Sequence, residues 1–335
     1  MARELHTGGA INEAIAIAMR SDPNVILMGE DVAGGGDRSK EGTEEMGGVL
    51  GTTRGLVGEF GMRRVRDTPI AEMGLIGTAV GAAATGLRPI AELMFMDFLG
   101  TCLDPLLNQA AKLRYMFGGK AKVPLTVRTV TGAGMQAAAQ HSQSLYWITT
   151  GIPGLKTVIP SSPAEAKGLL LAAIRDDDPV IFCEPKGILN QSEEVPEGDY
   201  EIPLGEARIV REGSDVSLVG FGATVGVAMQ AAQALEEAGT HAEVVDLRSL
   251  SPLDEGTLLA SLEKTGRMLV IDESTPRCSV ARDVAARCMD QGFDFLEAPI
   301  KCVTAPHTPV PFARVLEQAF LPSAQDVLDA VAEMG

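Results

Sequence analysis

Apolar and polar positions follow two alternating rhythms along this chain. Residues 10–20 carry apolar side chains at helical spacing, and 24–29 form a short apolar run that reads as a buried strand ending at Glu30-Asp31. Residues 33–54 are a long glycine-rich loop with no period of its own, of the kind that is functional or disordered inside a compact domain. The next unit is strand, helix, strand over 64–98. Residues 64–66 end a strand, Thr68 is the expected N-cap, Pro69 opens the helix, and Gly86 followed by Pro89 closes it, so Glu72 falls in the first helical turn. Gly74, Gly77, Gly81 and the alanines at 82–84 leave that helix almost bare, as if another backbone or a flat ligand came close.

The pattern then predicts one long helix over 96–116, stopped by Gly118-Gly119, and a β-branched strand over 123–130. The strand runs into TGAGMQAAAQHSQS, which has neither helical nor strand periodicity and carries His141. Strands at 155–160 and 179–185 enclose a helix at 163–176. Residues 1–185 therefore alternate strand and helix as a doubly wound α/β domain does. The polar, acidic, proline-containing stretch 186–203 reads as a linker, and 204–335 repeats the alternation as a second α/β domain.

Composition narrows the function classes. A length of 335 residues accommodates two cores, and a net charge of −17 disfavours nucleic acid as a partner. No apolar run is long enough to span a membrane and the start MARELHTGG has no signal core, so the expected compartment is the cytoplasm. The five cysteines are scattered, which suits reduced thiols and not a zinc site.

Candidate chemistry gathers at strand ends. LVGFGATVG at 218–226, followed by Asp246, imitates a dinucleotide fingerprint, but Gly220, Gly222 and Gly226 are spaced GxGxxxG. The match is weak, and a tight strand-to-helix turn that needs glycine only for packing is the preferred reading. GxxxxGK[ST], HExxH and GxSxG are all missing from the sequence. What remains is Glu30, Glu72, Phe98 and His141. These are carboxylates that could exchange a proton with a ring nitrogen, an aromatic face for stacking, and an imidazole that titrates near neutral pH.

At these residues the chain resembles the β subunits of the thiamine-diphosphate-dependent 2-oxo acid dehydrogenase family, essentially end to end. The motifs that carry the likeness are GEDVAGG (29–35), RDTPIAEMG (66–74), GLRPIAELMFMDF (86–98), NQAAKLRYMFGGK (108–120), AAQHSQS (138–144), GLLLAAIRDDDPVIF (168–182) and VVDLRSLSPLD (244–254). STPRCSVA (274–281) and VTAPHTPVPF (303–312) are similar to the acetoin branch, as distinct from the pyruvate and branched-chain branches.

The resemblance implies a pyrimidine-binding domain followed by a transketolase C-terminal-like domain. It makes Glu72 the partner of the cofactor's aminopyrimidine nitrogen and Phe98 the aromatic beside that ring. Ile70, Ala71 and Met94 become lining positions, Glu30 a further cofactor-side acid, and His141 a histidine near the substrate and the incoming lipoyl group. It also implies a potassium ion at Leu125, Ala173, Ile174, Asp176 and Asp178.

The family's GDG…NN motif, which holds diphosphate and magnesium on the α subunit, has no counterpart here, since Gly198-Asp199 is followed by Tyr200. The expected assembly is thus two α and two β chains sharing each active site, with a dihydrolipoamide acetyltransferase as acceptor and acetoin as substrate. Within the family the alternative is a β subunit of a pyruvate or branched-chain 2-oxo acid dehydrogenase; a nicotinamide dehydrogenase and a non-catalytic scaffold are the readings from other classes.

Overall fold

In the computed structural model, residues 3–35 and 47–335 are described, so residues 36–46 of the expected glycine-rich functional loop lie outside the described residues. Contacts divide the chain into two compact units. The first comprises the described part of Met1–Val130, with Ile148–Glu184 and Ile188–Leu204; the second comprises Thr131–Trp147, Pro185–Gly187 and Gly205–Gly335.

In the first unit β1 (Glu4–His6) leads into α1 (Thr7–Ser21) and β2 (Val25–Gly29), followed by α2 (Leu56–Phe60), β3 (Val65–Asp67), α3 (Glu72–Ala84) and β4 (Arg88–Phe95). After β4 come a 3-10 segment Met96–Thr101, a π-helical segment Pro105–Ala110 and α4 (Ala111–Met116). The single helix expected over 96–116 is therefore interrupted once, at Cys102, where φ is −131°. Residues 96–101 wind as 3-10, and 103–116 continue as one helical run with a π-helical centre, Pro105 standing in its first turn where a missing N–H is tolerated. The remaining elements are β5 (Thr126–Thr131), α5 (Tyr146–Thr150), β6 (Lys156–Val158), α6 (Pro163–Arg175), β7 (Val180–Pro185) and β8 (Ser192–Glu194).

The sheet order is β6-β7-β5-β4-β2-β3, with β1 and β8 forming a separate antiparallel ribbon. β2 runs parallel to both β3 and β4, β4 to β5, and β6 to β7. Leu27 is the register partner of Val65 on one side and Ile90 on the other.

The core follows the apolar spacing. Ile11, Ile15 and Met19 of α1, Leu169 and Leu170 of α6, and Leu27, Ile90 and Phe182 of the strands belong to one buried cluster. Full burial of such side chains contributes about 1.5–3 kcal/mol each. The two helices are capped from their own sequence: His6 Nδ1 accepts from the Gly9 N–H before α1, and the Ser162 hydroxyl accepts from the Glu165 N–H before α6.

The second unit contains β9 (Arg208–Arg211), β10 (Val216–Gly220), α7 (Thr224–Glu237), β11 (Ala242–Asp246), β12 (Ser249–Ser251), α8 (Glu255–Thr265), β13 (Met268–Asp272), α9 (Val280–Gly292), β14 (Lys301–Thr304), α10 (Arg314–Phe320) and α11 (Ala324–Ala332). Its sheet runs β14-β13-β10-β11-β9, parallel except for β9. Leu218, Val244 and Leu269 of the strands pack against Ala228 and Ala231 of α7. Each unit is thus an α/β sheet with helices. Among the described residues no helix is long and apolar enough to cross a membrane.

The glycine-rich turn after β10 serves packing. A Cβ at Gly220 would meet the Thr224–Val225 backbone at 3.1 Å, and the turn buries Phe221, whose ring stands edge-on to Tyr146 at 5.5 Å.

Candidate active site

Glu30 follows directly on β2, at the carboxyl end of a strand paired on both sides, where open α/β sheets gather ligands. Three contacts fix that strand end. The Thr68 N–H donates to the Gly29 carbonyl at 2.9 Å, and the Asp67 carboxylate accepts from the N–H groups of Ala33 at 2.6 Å and Gly35 at 3.0 Å. The start of α3 is thereby brought beside Glu30. Glu72 is the first residue of the helix, at the end where the backbone dipole favours a carboxylate.

The expected cap is corrected. Ala71, with φ −158° and no side-chain bond, occupies the N-cap position, and the hydroxyl of Thr68 is buried without a hydrogen-bond partner among the described residues. Thr68 lies three residues before the cap, too early for its oxygen to serve the first turn.

Glu30, Thr68, Pro69, Ile70, Ala71, Glu72, Leu75, Glu92 and Met94 line one small, narrow cleft that opens to solvent. Five of the six cofactor residues expected from the sequence are therefore neighbours within the first unit. Ile70 is exposed over 74% of its surface at the rim, whereas Met94, at 7%, forms the floor. Phe98 is not on the lining; it is half-buried in the 3-10 segment and stands edge-on to Phe95 at 5.8 Å. Burial pushes the Glu30 carboxyl above its ordinary pKa, and the nearby charges of Asp31 and Glu72 add to the effect.

Glu92 escaped the sequence reading, although a lone acid inside the apolar strand RPIAELMF is itself a signal that something must pair with it. Its partner is Arg128, which bonds Glu92 at 2.9 Å, Glu184 at 2.7 Å and 3.1 Å, and the Thr52 hydroxyl at 3.2 Å, all inside the first unit. Burial raises the Glu92 pKa, and Arg128 opposes it.

The residues expected to hold potassium also come together in the first unit. The Leu125 carbonyl accepts from the Val180 N–H at 2.9 Å, and the Ala173 carbonyl from the Asp176 N–H at 3.3 Å. Arg88 donates to the carbonyls of Ile174 at 3.3 Å and Asp176 at 2.9 Å. The carboxylates of Asp176 and Asp178 are bonded by Lys156 at 2.6 Å and Arg114 at 2.7 Å respectively.

His141 belongs by its contacts to the second unit and is half-buried there. The segment that carries it has positive φ at Gly132 (86°) and Gly134 (109°), and also at two residues with side chains, Gln136 (53°) and Ala138 (61°). The left-handed conformation costs a residue with a Cβ roughly 1–2 kcal/mol, so neighbouring groups must hold it. Residues 139 and 142–145 of the segment, with Glu273, His307, Val310 and Phe320 among others, line a larger cleft of about 360 Å³ in this unit.

Comparison with known proteins gives this geometry a family. A model of the transketolase pyrimidine-binding domain matches residues 3–191, and one of the transketolase C-terminal domain matches 205–327. The acetoin:2,6-dichlorophenolindophenol oxidoreductase subunit beta of Bacillus subtilis is 60% identical, with 100% of this chain and 98% of that protein covered. The pyruvate dehydrogenase E1 component subunit beta of Rhizobium meliloti is 45% identical, over 96% of this chain and 68% of that one. A solved split-gene transketolase, described as an inactive β4 tetramer, superposes with a TM-score of 0.76 over 98% of both chains at 22% identity, a likeness of fold. The chain therefore belongs to the β-subunit family of the thiamine-diphosphate-dependent 2-oxo acid dehydrogenases, with a transketolase pyrimidine-binding domain followed by a transketolase C-terminal domain.

Proposed function

We propose that this chain is the β subunit of an acetoin dehydrogenase, which cleaves acetoin to acetaldehyde and passes the acetyl group to lipoamide on a partner acetyltransferase. The observation that carries the substrate is the end-to-end likeness at 60% identity to an acetoin oxidoreductase β subunit, against 45% for the pyruvate relative.

The cleft suits half of the cofactor. It is small and floored by Met94, it holds the carboxyls of Glu30 and Glu72, and it contains the Thr68 hydroxyl, unpartnered among the described residues, as a hydrogen-bonding group for a polar ring. When bound, thiamine diphosphate supplies the nucleophilic carbon that carbon–carbon bond cleavage requires. Glu72 holds a proton at the aminopyrimidine nitrogen, and Ile70, Ala71 and Met94 keep water from the ring. Phe98 supplies an aromatic face, and Glu30, with its raised pKa, limits the negative charge gathered in the cleft. His141 moves protons near the substrate and the lipoyl group.

Diphosphate and magnesium fall to the α subunit, and the assembly is two α and two β chains in the cytoplasm. The face of α3 suits part of the contact with α. A Cβ at Gly77 or Gly81 would meet nothing within 4 Å, and Met73 beside them is 52% exposed. We also take 1–185 and 204–335 as the two domains, with 186–203 linking them, and the residues around Asp176 as a potassium site that shares its oxygens with Arg88.

The test is co-expression with the α chain, followed by dye-linked oxidation of acetoin against pyruvate with thiamine diphosphate and magnesium. Turnover of acetoin only by the assembled pair, abolished in Glu72→Ala, is the expected result. Faster turnover of pyruvate overturns the substrate, and full activity in Glu72→Ala overturns the site.

A further inference from the structure

The strained segment Thr131–Trp147 is held by ionisable side chains that stand far away in the chain. Glu317, in α10 and only 3% exposed, accepts the Gly134 N–H at 3.0 Å and the Gln136 N–H at 3.1 Å on both of its oxygens. Glu273, directly after β13, accepts the Ala133 N–H at 2.5 Å. The Lys186 ammonium donates to the carbonyl of His141 itself and lies 3.5 Å from the Ser142 hydroxyl. Beyond the histidine, the Tyr146 hydroxyl donates to Asp272 at 2.5 Å. All of these groups lie within the second unit.

We infer that Glu317 is a positioning residue for His141, a role that rests on the part given to His141 above. The carboxylate spans Met135 and ends on Gln136, whose left-handed φ sets the direction in which the chain travels to the histidine five residues later. One buried carboxylate that takes two backbone N–H groups, one of them with both oxygens, is a rigid charge-assisted clamp. Glu273 and Lys186 fix points on either side of it. With Glu317 removed, the Gly134 and Gln136 N–H groups lose their acceptor, and the strained turn has no compensation at its centre.

Histidine-selective isotope labelling of the full-length chain tests this directly, because the chain has only four histidines and each gives its own ring signal. Glu317→Ala is expected to shift and broaden the His141 signal while leaving His6 and His241 in place. In the assembled complex it is expected to lower kcat for acetoin at least tenfold with KM changed less than about threefold. Glu317→Gln keeps one acceptor oxygen and the side-chain length, and is expected to restore most of both readouts.

An unmoved His141 signal in Glu317→Ala overturns the inference. So does a change in all four signals together, which would assign Glu317 to general stability. If the alanine variant does not fold, Glu317→Asp, whose shorter side chain draws the carboxylate back from both N–H groups, decides by the same signals: an unmoved His141 there overturns the inference, and a selective shift supports it. Full activity in His141→Ala would sink the catalytic reading of the histidine, whereas the labelling result bears on the clamp alone.

Discussion

Replacing Glu273 by Gln isolates a single buried charge. Burial pushes this carboxyl from 4.5 up to about 7, helped by the charges of Asp272 and Glu317 and opposed by the Ala133 N–H and by Lys186. In the unfolded chain the group returns to its ordinary value. Between 4.5 and about 7 the folded protein therefore holds a proton that the unfolded one has released. The associated stability is fully present below 4.5 and is lost as pH rises through about 7. The size of the shift corresponds to roughly 3 kcal/mol. Glutamine has the same shape, keeps a carbonyl oxygen for the Ala133 N–H and carries no charge at any pH. Urea unfolding of the full-length chain from pH 5 to 8 can be followed by the fluorescence of Trp147, its single tryptophan. The variant is expected to gain on the wild type by under ~1 kcal/mol near pH 5 and by ~3 kcal/mol at pH 8, with the gap level above that. A gap that is constant across the range, or that narrows as pH rises, refutes the reasoning.

Arg128→Met strands Glu92 and Glu184 as buried carboxylates without their cation, and is expected to cost about 3–5 kcal/mol in urea unfolding; a loss under ~1 kcal/mol would show that the pair is not sealed from water. Gly154→Ala puts a Cβ 2.0 Å from the Ala111 carbonyl oxygen at a position with φ of +100°, so the unfolding midpoint should fall clearly in calorimetry, and an unchanged midpoint would contradict the close approach. If the carbonyls around Asp176 share their oxygens with an ion, the melting temperature should rise when potassium replaces sodium at equal ionic strength, and Asp176→Asn should abolish the difference.

Local signals made half of the candidate site readable. Glu30 follows an apolar run that could only be a buried strand, and Glu72 follows a proline near the start of a helix, so each could be placed from a few neighbours. The cleft that joins them depends on the Thr68 N–H reaching Gly29 and on Asp67 reaching Ala33 and Gly35. These contacts between loops leave no periodic trace in the sequence. Thr68 misled for the same reason: its residue type suits a cap, yet its position in space does not. The helix expected over 96–116 failed because apolar spacing alone does not distinguish 3-10, π and α winding. Least visible were the partners of the His141 segment, since Glu317 is separated from Gly134 by 183 positions. The family motifs named the histidine, and nothing near it in the chain named what holds it.

The membership of Thr131–Trp147 in the second unit sets an order of events during synthesis. A ribosome makes this segment before it has made Asp272, Glu273 or Glu317, so of the groups that hold it only Lys186 emerges early, and the three carboxylates follow more than a hundred residues later. A chain released early could complete much of its first sheet and still leave His141 loose. A copy terminated before Asp272 would fold in part and leave the Ala133, Gly134 and Gln136 N–H groups without these acceptors.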